Sequence, residues 1–234
     1  MRMDFEIYLW PGYKAEDILR LEDMAGIDMA VVMPQIQERC DNEGLARAIA
    51  GHDRLIGCCC PNPNYGAEAL EEFRRGIKEW GLKGLKLMAM RQNYFIDSAV
   101  VNPLMREARE LGIPVTIHSG GSPCHPTAIG NLAGRYPEVS IIMDHAGYPG
   151  HTDAAVEAAL AHPNIWLGTT RIAFEPEFVR TAVNAVGPER VVFGSNGPSI
   201  WPDLALESIR RLELGEEAER LIFGENLARI YGIA

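Results

Sequence analysis

Short runs of consecutive apolar residues recur along the chain at regular intervals. Most of them are rich in Val, Ile and Leu, and several are followed directly by Pro or Gly. Continuous apolar runs of this length are typical of β-strands that are buried on both faces of a parallel sheet. The pattern predicts eight strands, at residues 3–8, 28–33, 55–59, 82–88, 113–118, 139–144, 165–169 and 190–194.

Between these runs, apolar residues recur three and four positions apart, which is the spacing of one face of a helix. In the segment 67–80, for example, Leu70, Phe73 and Ile77 fall on the same side. Polar residues occupy most of the other positions, as expected for helices packed on one side of a sheet. The pattern predicts helices at residues 15–24, 41–50, 67–80, 101–111, 128–136, 153–161, 176–186, 204–212 and 216–231.

Eight strands that alternate with helices predict an α/β fold, a (β/α)8 TIM-type barrel forming a single domain over residues 1–234. The alternative is a doubly wound open sheet, which shows the same alternation. Such a sheet usually has a glycine-rich phosphate-binding turn after its first strand, whereas residues 9–12 here read Leu-Trp-Pro-Gly. We therefore favour the barrel, although 234 residues is slightly below the roughly 250 that are usual for it.

The charge balance narrows the classes of partner. Lys and Arg total 22 against 32 for Asp and Glu, which gives a net charge of −10. This balance argues against binding nucleic acid or an anionic membrane. No apolar run approaches the roughly 18 residues of a membrane span, and acidic residues appear too early for a signal peptide.

Three of the five cysteines are consecutive, and we interpret them as reduced core residues of a cytoplasmic protein. A homodimer is expected only because dimers are common.

The C-terminal ends of the strands are where a barrel of this kind carries its active site. Glu6 and Tyr8 are two residues apart, so both lie on the same side of the first strand. His118 and His145 close neighbouring strands, and imidazole is both the commonest metal ligand and the commonest general base. Two histidines at equivalent positions favour a functional site over two structural residues. The polar candidates at these ends are Glu6, Tyr8, Lys86, Arg91, His118, His145, Arg171 and Asn196.

Several motifs resemble the amidohydrolase-related branch of the metal-dependent amidohydrolase superfamily, which holds small-molecule hydrolases and non-oxidative decarboxylases. Each motif is weakly specific alone, and together they are fairly specific. The resemblance as a whole extends over nearly the entire chain. They are residues 84–87 (GLKL), 113–120 (IPVTIHSG), 141–147 (IIMDHAG), 188–196 (PERVVFGSN) and 222–230 (IFGENLARI).

The resemblance implies a divalent metal, usually zinc, held by residues at the strand ends. Glu6 matches the first residue of the Glu-x-His form of the family's first motif, and His118 and His145 match later histidine ligands. Tyr8 stands where that motif has a histidine, and Asn196 stands where the family has an aspartate. Neutral tyrosine is a poor zinc ligand, and asparagine cannot act as a general base. A methionine at position 88 also replaces a histidine that often follows strand four.

Three hypotheses remain open at this point. In the first, Glu6 and His118 ligate the metal, His145 is the acid or base, and the enzyme hydrolyses or decarboxylates a small carboxylated or aromatic substrate. Arg91 and Arg171 would pair with the substrate carboxylate, because a guanidinium fork suits one.

In the second hypothesis the enzyme has dispensed with metal, as in the similar pyrone dicarboxylate lactonase. Tyr8, Lys86 and Asn196 would then polarise a carbonyl by hydrogen bonds, while His118 and His145 would transfer protons. A buried Lys86 paired with Glu6 would itself compete with metal binding.

In the third hypothesis the barrel binds a small molecule without catalysis, since Tyr8 and Asn196 stand where the family has metal-ligating residues. In all three, the contrast between the acidic chain and a basic site favours a small anionic ligand. His125, in the loop after the fifth strand, is a further candidate for contacting it.

Overall fold

Eight parallel strands form one sheet in which the strand order follows the chain. The computed structural model describes residues 1–171 and 175–233, and it confirms the predicted (β/α)8 barrel. All eight predicted strands are present, most of them shorter than predicted. They are β1 (Met3–Leu9), β2 (Met29–Pro34), β3 (Leu55–Cys59), β4 (Gly84–Leu87), β5 (Val115–His118), β6 (Ile141–Asp144), β7 (Ile165–Gly168) and β8 (Val191–Val192).

The barrel closes through backbone hydrogen bonds between β1 and the segment that follows β8. The amide of Phe5 donates to the carbonyl of Phe193 over 3.0 Å, and the amide of Asn196 donates to the carbonyl of Glu6 over 3.0 Å. Gly197 pairs with Ile7 in the same parallel sense. Because these bonds continue past the short β8, the segment 193–197 is fixed beside β1 and carries Asn196 to the mouth of the barrel.

The helices pack around the sheet. Each predicted helix is found, and a short additional one, α4, follows β4. No helix among the described residues is both long and apolar enough to cross a membrane. The helices are α1 (Ala15–Ala25), α2 (Asn42–Ile49), α3 (Ala67–Lys78), α4 (Ala89–Gln92), α5 (Asn102–Leu111), α6 (Pro126–Arg135), α7 (Thr152–Ala161), α8 (Glu177–Val186), α9 (Pro202–Arg210), α10 (Glu216–Arg220) and α11 (Asn226–Tyr231).

The last predicted helix is not a regular one. A π-helical turn, Leu221–Glu225, separates α10 from α11. Gly224 lies in this turn, and a Cβ atom at its position would come 2.1 Å from the carbonyl oxygen of Met1. The helix therefore approaches the N-terminal backbone at a residue without a side chain, a tertiary contact that hydrophobic spacing alone does not reveal.

The apolar residues divide into an inner layer and an outer layer. Residues such as Phe5, Val31, Ile56 and Ile142 pack together inside the barrel. Their neighbours along each strand, such as Val32, pack outward against the helices. This division explains why the strands are apolar on both faces, as the continuous runs predicted.

A bulge in β1 changes which of its residues face the barrel interior. Between Asp4 and Ile7, β1 advances three residues while its partner strand advances two. Phe5, within this interval, and Tyr8, after it, both belong to the inner layer. The extra residue allows Glu6 to point inward as well, so that a carboxylate enters the interior close to the C-terminal ends of the strands.

Candidate active site

A cavity of about 760 Å3 opens at the C-terminal ends of the strands. Apolar and aromatic residues such as Trp10, Ile36 and Met88 line it together with polar ones. Most of the candidate residues from the sequence contribute to its wall. These are Tyr8, Arg91, His118, His145, Arg171 and Asn196.

Glu6 and Lys86 lie behind this wall, inside the barrel, and both are fully buried. The Lys86 ammonium forms an ion pair with Glu6 Oε2 and another with Asp144 Oδ2, at 2.8 Å from the latter. The Tyr8 hydroxyl donates to the other Glu6 oxygen, Oε1, over 3.0 Å. We call Glu6, Lys86 and Asp144 the lysine cluster.

The charges of the lysine cluster depend on one another. Burial alone would lower the pKa of Lys86, but the neighbouring carboxylates outweigh it and raise that pKa above its usual value. Burial would raise the pKa of Asp144, yet His145 and Lys86 hold it well below its ordinary range. The pKa of Glu6 is raised, first by burial and then by the charge of Asp144. Asp144 is therefore the firmly ionised partner of the ammonium, and Glu6 takes up a proton first.

Asp144 also connects to His145 through Thr170. The Thr170 hydroxyl donates to Asp144 Oδ1. Its oxygen lies 2.8 Å from His145 Nδ1 and accepts the His145 backbone amide over 2.9 Å. Because its single proton goes to the carboxylate, this hydroxyl can only accept from the ring, so we assign the neutral ring proton to Nδ1. Nε2 of His145 is then left with a free lone pair.

His118 stands beside His145, with the ring centroids 4.8 Å apart and the rings nearly perpendicular. Its Nδ1 is buried and has no hydrogen-bond partner among the described residues, and it lies 3.8 Å from Asp144 Oδ2. Burial lowers the pKa of His118, and the nearby His145 adds to this effect. The ring is therefore neutral near pH 7, which suits a residue that accepts a proton or ligates.

Three residues that line the cavity have left-handed backbone conformations. The φ angles are 60° at His145, 62° at Arg171 and 64° at Asn196. Positive φ is unfavourable for residues other than glycine, and it persists where surrounding structure enforces it. Each of these residues directly follows or lies near the end of a barrel strand, so the strain coincides with the cavity wall.

The structure thus brings most of the predicted candidates together, and it adds two residues. Asp144 is the first, although it directly precedes His145 in the sequence and that adjacency is a usable signal. Thr170 is the second, and no motif points to it. His125 is not among the described residues that line the cavity: its Nδ1 accepts the amide of Thr127 at the start of α6, and its ring packs on His151 with centroids 4.7 Å apart.

A family model described as amidohydrolase matches residues 11–233. The chain belongs to the amidohydrolase family. The match begins after β1 and covers the other seven strands, whose ends build most of the cavity wall, and it agrees with the resemblance in the motifs.

Three similar proteins differ in the activity that their names describe. An L-fucono-1,5-lactonase from Burkholderia ambifaria is 22% identical over 96% of this chain and 87% of its own length. An amidohydrolase from Burkholderia multivorans, solved with bound zinc, superposes with a TM-score of 0.81 at 14% identity and complete coverage of both chains. A 5-carboxyvanillate decarboxylase from Sphingomonas paucimobilis gives a TM-score of 0.78 at 16% identity, covering 100% of this chain and 99% of its own.

These relatives raise the question of a divalent metal. His118, Asp144 and His145 each offer a ligand atom within 4.8 Å of the others, a grouping able to hold an ion. Most of the possible ligand atoms already have hydrogen-bond or ion-pair partners, however. Asp144 Oδ2 pairs with Lys86 and Oδ1 with Thr170, while His145 Nδ1 faces Thr170. Both oxygens of Glu6 are also taken, by Tyr8 and Lys86. With an ammonium 2.8 Å from the central carboxylate, this donor set fits a dication poorly.

Proposed function

We propose that this protein is a hydrolase that opens a small lactone or related ester bearing a carboxylate, and that it does so without a catalytic metal. One observation carries the proposal: the Lys86 ammonium lies between Glu6 and Asp144, where it neutralises the acidic residues that would otherwise hold an ion. The lactonase relative supports the substrate class, because a lactone is the bond type that its name describes.

His145 is the proposed general base. Its Nδ1 proton is directed to the Thr170–Asp144 pair, so Nε2 can take a proton from a water molecule in the cavity. The water oxygen then attacks the lactone carbonyl carbon. As the ring C–O bond breaks, the proton passes from Nε2 to the departing alkoxide, and the product is a hydroxy acid. Ionised Asp144 stabilises the imidazolium that forms between these two steps.

The developing negative charge on the carbonyl oxygen needs a hydrogen-bond donor. Asn196 lines the cavity, and its side-chain amide carries two N–H groups that can serve this purpose. The Tyr8 hydroxyl is less suited, because its proton goes to Glu6. Lys86 has no exposed surface, so its role in this proposal is to set the charge of Asp144 and Glu6 from behind the wall. Arg91 and Arg171 are the cavity residues able to pair with a substrate carboxylate.

The experiment measures acid release from small lactones that carry a carboxylate and from neutral sugar 1,5-lactones, with and without a prior chelator treatment, and records the metal content of the protein. We expect lactone opening that survives the chelator and does not require added zinc or manganese. His145→Ala should lower kcat/KM by about 10²- to 10⁴-fold, the range for loss of a general base. His52→Ala is the matched control, because His52 precedes β3 at the opposite end of the barrel, and it should leave the rate unchanged.

Two results would contradict the proposal. Activity that is abolished by the chelator and restored by one equivalent of zinc would assign the reaction to a metal centre instead. Release of CO2 from aromatic carboxylic acids, with no lactone opening, would place the protein with the decarboxylases.

A further inference from the structure

Two thiols belong to one small cluster behind the cavity wall. Cys40 belongs to the connection between β2 and α2, and Cys60 directly follows β3. Together with Met88 they form a small apolar cluster, separate from the larger core, against which Ile36 also packs. Met88 and Ile36 both line the cavity, so the thiol pair is one side-chain layer away from it.

The hydrogen bonds around the pair distinguish the two sulfurs. The Cys40 thiol donates to the carbonyl of Gln37 over 3.5 Å. The Gln92 amide nitrogen lies 4.0 Å from Cys40 Sγ and 3.9 Å from Cys60 Sγ. Pairing with the Cys60 side chain lowers the pKa of Cys40, and pairing with Cys40 together with burial raises the pKa of Cys60. Cys40 is thus the sulfur that more readily becomes a thiolate.

We propose that Cys40 and Cys60 are a site of reversible oxidation, at which a peroxide converts the two thiols into a disulfide behind the cavity wall. Cys40 is 7% exposed and Cys60 is fully buried, which gives the more acidic sulfur the better access. The Cys40 thiolate attacks one peroxide oxygen and becomes a sulfenic acid, releasing one hydroxide that a proton turns into water. The Cys60 sulfur then attacks the sulfenic sulfur, a second water leaves, and the S–S bond forms.

The disulfide changes the cavity because a bonded pair of sulfurs lies about 2.05 Å apart, much closer than two thiols in contact. Cys40 must move toward the end of β3, and the connection that carries it also carries Gln35 and Ile36 of the cavity wall. We therefore expect oxidation to alter substrate affinity more than the chemical step. This last expectation rests on the proposed hydrolase function, whereas formation of the disulfide does not.

The test treats the full-length protein with hydrogen peroxide and counts free thiols after denaturation. The count should fall from five to three, and dithiothreitol should restore it. Peptide mass spectrometry should find the Cys40 peptide joined to the peptide that spans Cys58 to Cys60. Cys40→Ser and Cys60→Ser should each retain all of their remaining thiols. Cys124→Ser, the matched control at another buried cysteine, should still lose two.

Retention of all five thiols under peroxide, or a bond that forms equally well in Cys60→Ser through Cys58 or Cys59, would overturn the proposal. Where lactone hydrolysis is measurable, oxidation should raise KM several-fold with little change in kcat, and Cys124→Ser should show the same rise. An unchanged KM in fully oxidised protein would refute the link to the cavity, while the thiol count would still decide the disulfide itself.

Discussion

Acidic residues are neutralised in two different ways at two buried places in the barrel. In the lysine cluster, Glu6 and Asp144 share the Lys86 ammonium. The second place is the acid pair, Asp4 on β1 and Glu22 on α1, which are 0% and 1% exposed. Three of the four carboxyl oxygens of the acid pair have no hydrogen-bond partner among the described residues. The remaining oxygen, Asp4 Oδ1, accepts the amides of Glu6 and Ser195 over 2.9 and 3.0 Å.

The difference shows in the protonation of the two groups. Burial raises the pKa of Asp4 to about 7, against the effect of its hydrogen bonds from Ser195 and Glu6. The pKa of Glu22 is raised as well, by burial and then by the charge of Asp4. Protonation therefore neutralises the buried carboxyl groups of the acid pair, whereas the Lys86 ammonium neutralises those of the lysine cluster. Only the second solution keeps an ionised carboxylate, Asp144, beside His145 at neutral pH.

Removing the ammonium should have the largest effect. Lys86→Met leaves two buried carboxylates without a counter-charge, and loss of one partner of a buried pair costs about 3–5 kcal/mol. Urea denaturation at pH 7.5 should show this loss. Lys83→Met is the matched control, because Lys83 is exposed just before β4, and it should change the stability little.

The pH dependence of Lys86→Met also tests whether a proton can replace the ammonium in the lysine cluster, as it does in the acid pair. If Lys86→Met folds poorly at pH 7.5, it should recover part of its stability in mild acid, because Glu6 has a raised pKa and becomes neutral on protonation. A variant with wild-type stability at pH 7.5 would show that the ammonium does not compensate the carboxylates. The lysine cluster would then not differ from the acid pair in the way described.

A smaller effect is expected from Thr170→Val. This change keeps the shape of the side chain and removes the hydroxyl between Asp144 and His145, leaving buried polar atoms unpaired at a cost of about 1–3 kcal/mol. It should also lower kcat and shift the pH profile of kcat/KM, because the ring proton loses the Thr170 oxygen and keeps Asp144 Oδ1, 2.9 Å from Nδ1, as its acceptor. Thr169→Val is the control: Thr169 is similarly buried, but among the described residues its hydroxyl forms hydrogen bonds with the backbone of Gly194 and not with a side chain. Equal changes in both pH profiles would indicate a purely structural role for Thr170.

The smallest effect should come from Asp4→Asn, and it should depend on pH. The folded pKa of about 7 lies above the ordinary value of 3.8, so the folded state binds more protons between these values. Stability is therefore greatest at low pH in this window and is lost as the pH rises through 7.

The melting temperature of the wild type should accordingly fall between pH 6 and pH 8, and Asp4→Asn should fall less. Asp153→Asn, at an exposed position in α7, should follow the wild type. Parallel curves for Asp4→Asn and the wild type would mean that Asp4 is already ionised at pH 6.

Much of the architecture follows from local patterns. Eight apolar runs alternating with amphipathic segments predict the strands and the barrel, and the period-two rule correctly places Glu6 and Tyr8 on one side of β1. The departures arise where distant segments meet. Hydrophobic spacing does not predict the π-helical turn at Leu221–Glu225, because its cause is the close approach of Gly224 to Met1.

The candidate site likewise contains some residues that the sequence predicts and others that it does not. Residue types at strand ends pointed to Tyr8, His118, His145 and Asn196, because a parallel barrel gathers all its C-terminal strand ends at one face. The importance of Asp144 and Thr170 did not follow, because it depends on which atoms meet across β4, β6 and the segment after β7.

The order of the elements, the barrel and the face that carries the cavity can be predicted from the amino-acid pattern, since they depend on hydrophobic periodicity and on the fixed geometry of parallel strands. The roles of the charged residues depend on contacts that form only when the chain has folded. Lys86 could have faced a substrate, and Glu6 could have faced a metal. Inside the barrel they face each other and Asp144, because buried charges require opposite charges within a few ångströms, and that requirement is met by residues 80 and 58 positions apart.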